Sequence, residues 1–270
     1  MDIFIQKISK FAAKLQINLH ICKKMSNFAA IFVKIRYKMP QILHESAQFL
    51  DNNPLWAVLT DEERQQVQRE STIVRYGKNE QIYREHDIPE AVMMLVNGKV
   101  RIYKEGIGQR PQIIRMLKPH DLFAYRAIIA GDGYNTSASA FEESLVYRIP
   151  KDTFLHIVQS NNHFCFSMME IMARNLAFSE LQTVNLTQKH IRGRLAESLL
   201  TLKANYGVDD DGVTISMYMS REDLANLSNM TTSNAIRTLS QFAQEGIVGI
   251  DGRKLKILNE TALTRISRLG

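Results

Sequence analysis

The stretch Ser220 to Ile257, "SREDLANLSNMTTSNAIRTLSQFAQEGIVGIDGRKLKI", contains two helix starts, a tight turn between them and a hairpin signal. Ser220 stands before Arg221-Glu222-Asp223 with the spacing of a capping box. In that motif the serine oxygen accepts from a backbone N–H while Asp223 reaches back. Leu224 and Leu227 supply the buried side of this first helix, and Ser228-Asn229-Met230 reads as a short polar turn closed by one apolar residue. Thr231 then caps a second helix running to about Glu245, with Ile236, Leu239, Phe242 and Ala243 inward, and Gly246 ends it in a left-handed cap. Two short helices joined this way form a helix-turn-helix.

Downstream, Ile247 to Ile250 and Leu255 to Leu258 flank Asp251-Gly252, a tight-hairpin signal. Arg253, Lys254 and Lys256 decorate this wing. The second helix presents Thr232, Ser233 and Arg237 opposite its apolar stripe, where a recognition helix meets base edges in the major groove. Arg237 can donate two hydrogen bonds to guanine O6 and N7, worth ~1 to 3 kcal/mol of discrimination. Hydroxyls and the other cations suit phosphates. The expected contact set to double-stranded DNA is Arg221, Thr231, Thr232, Ser233, Asn234, Arg237, Arg253 and Lys254.

Between Thr72 and Arg148, short runs rich in Val, Ile and Tyr alternate with turn residues every ~8 to 12 positions, the pattern of antiparallel sheet. Expected strands are Thr72 to Tyr76, Gln81 to Arg84, Ala91 to Val96, Lys99 to Lys104, Gln112 to Leu117, Ser137 to Ala140 and Ser144 to Ile149. Asn97-Gly98 reads as a hairpin turn. So many short strands predict a jelly-roll barrel. A short helix, Asp61 to Gln68, is expected before it, capped after Thr60.

Leu122 to Thr136 interrupts the strands and forms the expected lid or cradle of a ligand site. Arg126 there suits either an anion or a structural role. His86, His120, His156 and His163 lack metal-site spacing. No nucleophile elbow, P-loop or paired-carboxylate motif is legible, so no catalytic residue and no reaction is expected.

After Pro150 the apolar residues Phe164, Met168, Ile171, Phe178 and Leu181 recur at helical spacing, interrupted by Asn175 and Asn185. A second stripe runs Cys165, Met169, Met172, Leu176. Two apolar faces on one long helix call for two partners, the barrel and a second copy in a coiled-coil-like homodimer. The first stripe, with Asn175 as a register device, is the expected dimer seam.

The chain has 270 residues, enough for two domains, and 45% of it is apolar. Its two cysteines, Cys22 and Cys165, exclude a disulfide framework and a four-thiolate metal site, and fit a reducing, cytoplasmic setting. No apolar run approaches the ~18 residues of a membrane helix. The net charge of +6 is uneven: residues 1–40 hold eight Lys/Arg against Asp2 alone, leaving 26 basic and 27 acidic residues elsewhere. Such a segment suits a basic amphipathic arm or an upstream extension preceding a start at Met25 or Met39. The extension is preferred, since no h-region and cleavage site are present.

The order of barrel, long helix and winged helix-turn-helix resembles the Crp/Fnr family of bacterial transcription regulators, from about Phe49 to the C-terminus. Besides Ser220 to Ile257, "VNGKVRIYK" in the barrel and "IRGRLAESLLTL", Ile191 to Leu202, carry the likeness. It implies an α+β chain: a cyclic-nucleotide-binding-like antiparallel jelly roll, a long dimerisation helix and a winged helix-turn-helix. The expected domains are 1–40 (extension), 41–160 (effector-sensing barrel), 161–186 (dimer helix) and 187–270 (DNA-binding). The implied partners are duplex DNA, a second copy of the chain and RNA polymerase, with no membrane.

In the catabolite activator branch a Gly and a Glu, then an Arg–Ser pair, hold the cyclic phosphate and ribose. Compared without gaps through "HDLFAYRAIIAGDGYNTSA", those places are taken by Ala124, Tyr125, Asn135 and Thr136. Losing the arginine removes the main countercharge of a buried phosphate, roughly several kcal/mol. Ser179 and Glu180 stand at the family's Thr–Ser pair, and the added carboxylate opposes an anion. The resemblance therefore implies an effector other than cyclic AMP, in a pocket built from Phe123, Ala124, Tyr125, Arg126, Asn135, Thr136, Ser179 and Glu180. The Fnr branch's N-terminal cysteine cluster for iron–sulfur is missing, while ligation of haem by Met or His stays open on spacing alone. Arg237 and Arg221 match DNA-contacting arginines of the family, but Thr232 and Ser233 stand where its best-known members have Arg and Glu, which implies a different operator. A regulatory subunit acting on another protein would need the phosphate arginine and no reading head. A cupin-like enzyme would need clustered His and carboxylate ligands.

Overall fold

The structure, a computed structural model, describes residues 53–106 and 110–270. The basic extension, residues 1–40, and Cys22 lie outside the described residues. The first described helix, α1 (Asp61–Glu70), starts in a capping box in which Thr60 Oγ1 accepts from Glu63 N and Glu63 returns a bond to Thr60 N. Its first turn holds three acids at the positive end of the helix dipole.

Eight strands follow: β1 (Thr72–Tyr76), β2 (Gln81–Tyr83), β3 (Ala91–Asn97), β4 (Val100–Glu105), β5 (Pro111–Leu117), β6 (Leu122–Phe123), β7 (Ser137–Ala140) and β8 (Ser144–Pro150). They form two four-stranded antiparallel sheets, ordered β1-β8-β3-β6 and β2-β7-β4-β5, the double-sheet jelly roll expected from the strand pattern. Met93, Leu95, Val100, Ile102, Leu117, Ala138 and Val146 meet between the sheets. The alternate side of β3 is buried too, because helices cover it: Trp56 donates its indole N–H to Met94 Sδ at 3.1 Å. Trp56 also stands 5.4 Å, centroid to centroid, from Phe164.

Asn97-Gly98 is a turn but not a hairpin. The strands it joins, β3 and β4, lie in different sheets, so the chain crosses between layers there. Gly98 has φ +92°, and a Cβ on it would stand 2.7 Å from Ser144 Cα. The glycine serves a close backbone crossing rather than a two-residue loop. Between β6 and β7, α2 (Tyr125–Ala130) begins at Ala124, which holds φ +68° without glycine's freedom.

After the barrel, α3 (Lys151–Ser160) and the 27-residue α4 (Asn162–Gln188) are separated by Asn161, whose Oδ1 caps α4 through Phe164 N at 2.9 Å. The expected seam is corrected here at Phe164, Met168 and Asn175, whereas its members Phe178 and Leu181 stay exposed. Phe164 and Met168 are 0% and 2% exposed and belong to their own subunit's core. Asn175 is bonded to Tyr125 and to Arg115, the latter at 3.0 Å, so it ties α4 to the barrel instead of setting a dimer register. The exposed large apolar residues of α4 are Phe166, Met169, Met172, Leu176, Phe178, Leu181, Val184 and Leu186, of which Met169, Met172 and Leu176 continue the second stripe.

The C-terminal part holds α5 (Ile191–Tyr206), α6 (Arg221–Leu227), α7 (Thr232–Gln244), β9 (Val248–Asp251), β10 (Lys254–Ile257) and α8 (Glu260–Leu269). Its core is continuous with the barrel: Ile113, Met116 and Phe141 pack with Leu195, Leu199, Leu224, Leu239 and Phe242. Tyr206 donates to Leu117 O at 3.1 Å across the same contact.

The two left-handed positions behave oppositely on substitution. Gly98→Ala should lose about 2 to 3 kcal/mol, since strain and a backbone clash add. Ala124→Gly should gain about 1 kcal/mol by relieving a left-handed alanine. Thermal melts read both: a fall of ~5 to 10 °C for the first and a rise of ~2 to 4 °C for the second.

Candidate nucleic-acid interface and effector cavity

The helix starts of the reading head are set by local chemistry. Ser220 Oγ accepts from Asp223 N at 3.0 Å. The reciprocal half of the capping box differs from expectation. Asp223 accepts from the Ser220 hydroxyl at 2.6 Å rather than from its backbone N–H, and its other oxygen takes a bond from Arg101 of β4 at 3.1 Å. The shorter acid of Asp, relative to Glu, fits this arrangement. The turn after α6 buries Ser228 on Ser198 Oγ at 2.8 Å and places Asn229 at φ +49°, a conformation asparagine tolerates.

Thr231 caps α7 through Asn234 N at 3.2 Å, and Gly246 follows the helix at φ +68°. Ala235, Thr238, Leu239 and Phe242 face the core. Ile236 is not inward as its type suggested: it is 48% exposed. It lies ~100° around the helix from the Ala235 direction, outside the buried stripe. The outward residues of α7 are Ser233, Ile236, Arg237 and Ser240, with Gln241 and Gln244 further along.

Of the expected contact set, Ser233 and Arg237 are exposed while Thr231, Thr232 and Asn234 are partly covered. Asn234 Oδ1 accepts from Arg237 Nη2 at 3.0 Å, which restrains the guanidinium and leaves its other donors open. Arg221 is committed in part to the wing, donating to Gly252 O at 2.8 Å. β9 and β10 pair Asp251 with Lys254, and only Gly252 in the two-residue loop has positive φ, +57°, as at the first central position of a II′ turn. Arg253 and Lys254 are exposed there, with Lys254 Nζ 5.3 Å from the Tyr218 ring centroid. Tyr218, half-exposed and hydrogen-bonded to Asp209 at 2.5 Å, is a neighbour of the wing that sequence pattern alone did not single out. Asp211 braces the preceding loop: the Thr214 hydroxyl, then the Thr214 and Val213 backbone N–H groups, hold its carboxyl down at about 2.

The second feature is a cavity of about 350 Å³ between the barrel and α4. Phe123, Ala124, Tyr125, Arg126, Asn135, Thr136 and Ser179 of the expected pocket line it. Glu180 does not. It is exposed on another side of α4, so its carboxylate does not oppose a ligand in this cavity. Tyr83 stacks on Tyr134 at 4.0 Å in the wall, and burial pushes the Tyr83 phenol up to about 12, against the opposing pull of the Thr136 hydrogen bond and the Arg126 charge. Arg126 is half-exposed with Asp132 at 4.0 Å, and Arg115 is held by Asn175. Neither cation sits buried and unpaired, awaiting a phosphate. Besides Ser179, α4 contributes Asn175, Phe178, Gln182 and Thr183 to the cavity; the first two belong to the stripe that periodicity gives to a dimer, and the last two are polar residues that no sequence pattern singles out.

Among the described residues, no group of three or more His, Cys, Asp or Glu is placed to hold a metal ion, and no helix is long and apolar enough to cross a membrane.

Comparison with known proteins agrees with both halves. Residues 73–161 match the model of the cyclic nucleotide-binding domain, and residues 193–266 that of the Crp-like helix-turn-helix domain. The chain is 20% identical over 196 residues, 72% of its length and 88% of the other's, to a CRP-like cAMP-activated global transcriptional regulator of Mycobacterium tuberculosis. It is 24% identical over 194 residues, 71% of its length and 77% of the other's, to the nitrogen fixation regulation protein FixK of Azorhizobium caulinodans. The solved structure of FixK2 from Bradyrhizobium japonicum superposes with a TM-score of 0.66 at 26% identity, covering 73% of this chain and 96% of that one. With barrel, long helix and reading head in the same order as in these regulators, the chain belongs to the Crp/Fnr family of transcription regulators.

Proposed function

We propose that the chain acts as a cytoplasmic homodimer that places two copies of α7 in successive major grooves of a near-palindromic operator, and regulates RNA polymerase from there. The observation that carries this reading is the exposed face of α7. Ser233 and Arg237 stand free of the core, and Arg221, at the start of α6, reaches the wing turn that carries the exposed Arg253 and Lys254. This is a binding chemistry. Arg237 serves guanine, the hydroxyls and wing cations serve phosphates, and no group in it activates a nucleophile.

The dimer seam we propose is the second stripe, Cys165, Met169, Met172 and Leu176. Its 4-3-4 spacing is that of heptad a and d positions, and Met169 and Leu176 are 53% and 62% exposed in the single chain. The same spacing reaches Ser179, Thr183 and Leu186, which line the cavity. A small effector held there touches the seam itself, and can shift the spacing of the two reading heads by preferring one seam packing. Among the described residues lining the cavity, Arg126 is half-exposed and Arg115 is held by Asn175, which supports an effector other than cyclic AMP.

Footprinting should show a two-fold protected site with half-sites one helical turn apart, ~34 Å, and binding that weakens linearly in log salt. Protection without two-fold symmetry would contradict binding as a dimer. Arg237→Ala should lose ~1 to 3 kcal/mol of discrimination at one base pair per half-site, read by competition between operator variants. An equal loss on random DNA reassigns Arg237 to phosphate positioning.

Leu176→Glu places a charge in the proposed seam and should raise the dimer dissociation constant by roughly a hundredfold, about 2.7 kcal/mol. Sedimentation equilibrium reads this, and an undisturbed dimer would move the seam elsewhere on α4.

A further inference from the structure

We infer that Ile236 is a specificity residue that reads the 5-methyl group of a thymine in each half-site; this rests on the proposed insertion of α7 in the major groove. The starting observation is an inversion of the binary pattern along one helix. Thr238, a polar residue, is 3% exposed in the core, while Ile236, two positions earlier, is 48% exposed.

The fold leaves about half of the Ile236 surface in water. A β-branched side chain on an open helix surface is a weaker helix former than Ala, Lys or Gln. Leaving it in water forgoes the stabilisation that burial of an isoleucine brings. Single exposed apolar residues are common on protein surfaces, but this one has particular neighbours. Ser233 lies three residues before it and Ser240 four after, both exposed, so the three share a surface strip on α7. Arg237, restrained by Asn234, adjoins that strip. An apolar side chain among short polar ones, beside an arginine suited to guanine, faces whatever base edges the helix meets. Of the groups displayed by the base edges in the major groove, the thymine methyl is the apolar substituent that such a side chain can cover.

The test uses the full chain and an operator selected from random duplexes. Each thymine is replaced in turn by deoxyuridine, which removes only the 5-methyl group, and affinities are measured for the wild type and for Ile236→Ala. At one thymine per half-site the replacement should weaken the wild type by about fourfold, the value of one buried methyl. The same replacement should have no effect on Ile236→Ala, which should already bind the thymine operator about fourfold or more weakly per half-site. Ile236→Val, keeping a β-branched methyl near the helix, should retain part of the dependence. Melting curves confirm that the variants are folded, with Ile236→Ala no less stable than the wild type. Identical responses of wild type and Ile236→Ala to deoxyuridine at every position would overturn the inference while leaving DNA binding intact. Failure of the wild type to enrich any sequence would instead overturn the DNA-binding reading, and this inference with it.

Discussion

The apolar contact between β5 and the helices of the reading head is the constraint on which the rest depends. Ile113 and Met116 enter the same core as Leu195, Leu199, Leu224 and Phe242, so the barrel and the winged helix share packed surface rather than hanging on a free linker. Close-packed cores do not deform continuously. The direction in which α7 faces is thus set by how β5 seats α6 and α5, and anything that shifts β5 has a route to the recognition helix. Ile113, Ile114 and Arg115 of β5 also line the cavity, as does Leu227 of α6, so the cavity wall and the docking contact are made from the same strand and helix.

The long helix extends that economy of parts. One side of α4 closes the barrel through Phe164, Met168 and Asn175, while another leaves Met169, Met172 and Leu176 open. Cavity, barrel wall and proposed seam meet on 27 residues of a single helix. Two packings of α4 need differ only slightly in free energy for a ligand to select between them, and the needed bias is set by the ligand's differential affinity for the two.

Local chemistry was legible in the sequence wherever one residue decides a conformation. Ser220 and Thr231 cap their helices, Gly246 ends α7, and Asp251-Gly252 turns the wing, each from short-range hydrogen bonding or permitted φ. The strand pattern likewise locates the barrel, although the dipeptide Asn97-Gly98 suggests a hairpin where the chain crosses between sheets. Dipeptide chemistry reports a tight turn and is silent on which sheet receives the next strand. The differences on α4 have two causes. Periodicity divides a helix into faces but does not say which face meets the chain's own barrel, so it gives Phe164, Met168 and Asn175 to the partner, whereas Glu180 is put in the cavity by its position beside Ser179 in the family comparison, and neighbours in a helix point ~100° apart. Ile236 was misplaced by its residue type. Its angle from Ala235, Leu239 and Phe242 on the helix was the signal that could have found it.

One contact bears on how freely such regulators recombine. Asp223, in the first turn of α6, accepts from Arg101 in β4, so an acid of the reading head is completed by a cation from the sensor. A reading head moved to a barrel with no cation at that spot would carry a carboxylate stranded in a half-buried junction, with the cost that unpaired charge incurs. The two modules are therefore not interchangeable cassettes, and a graft between relatives has to transfer the cation and the acid as a matched pair.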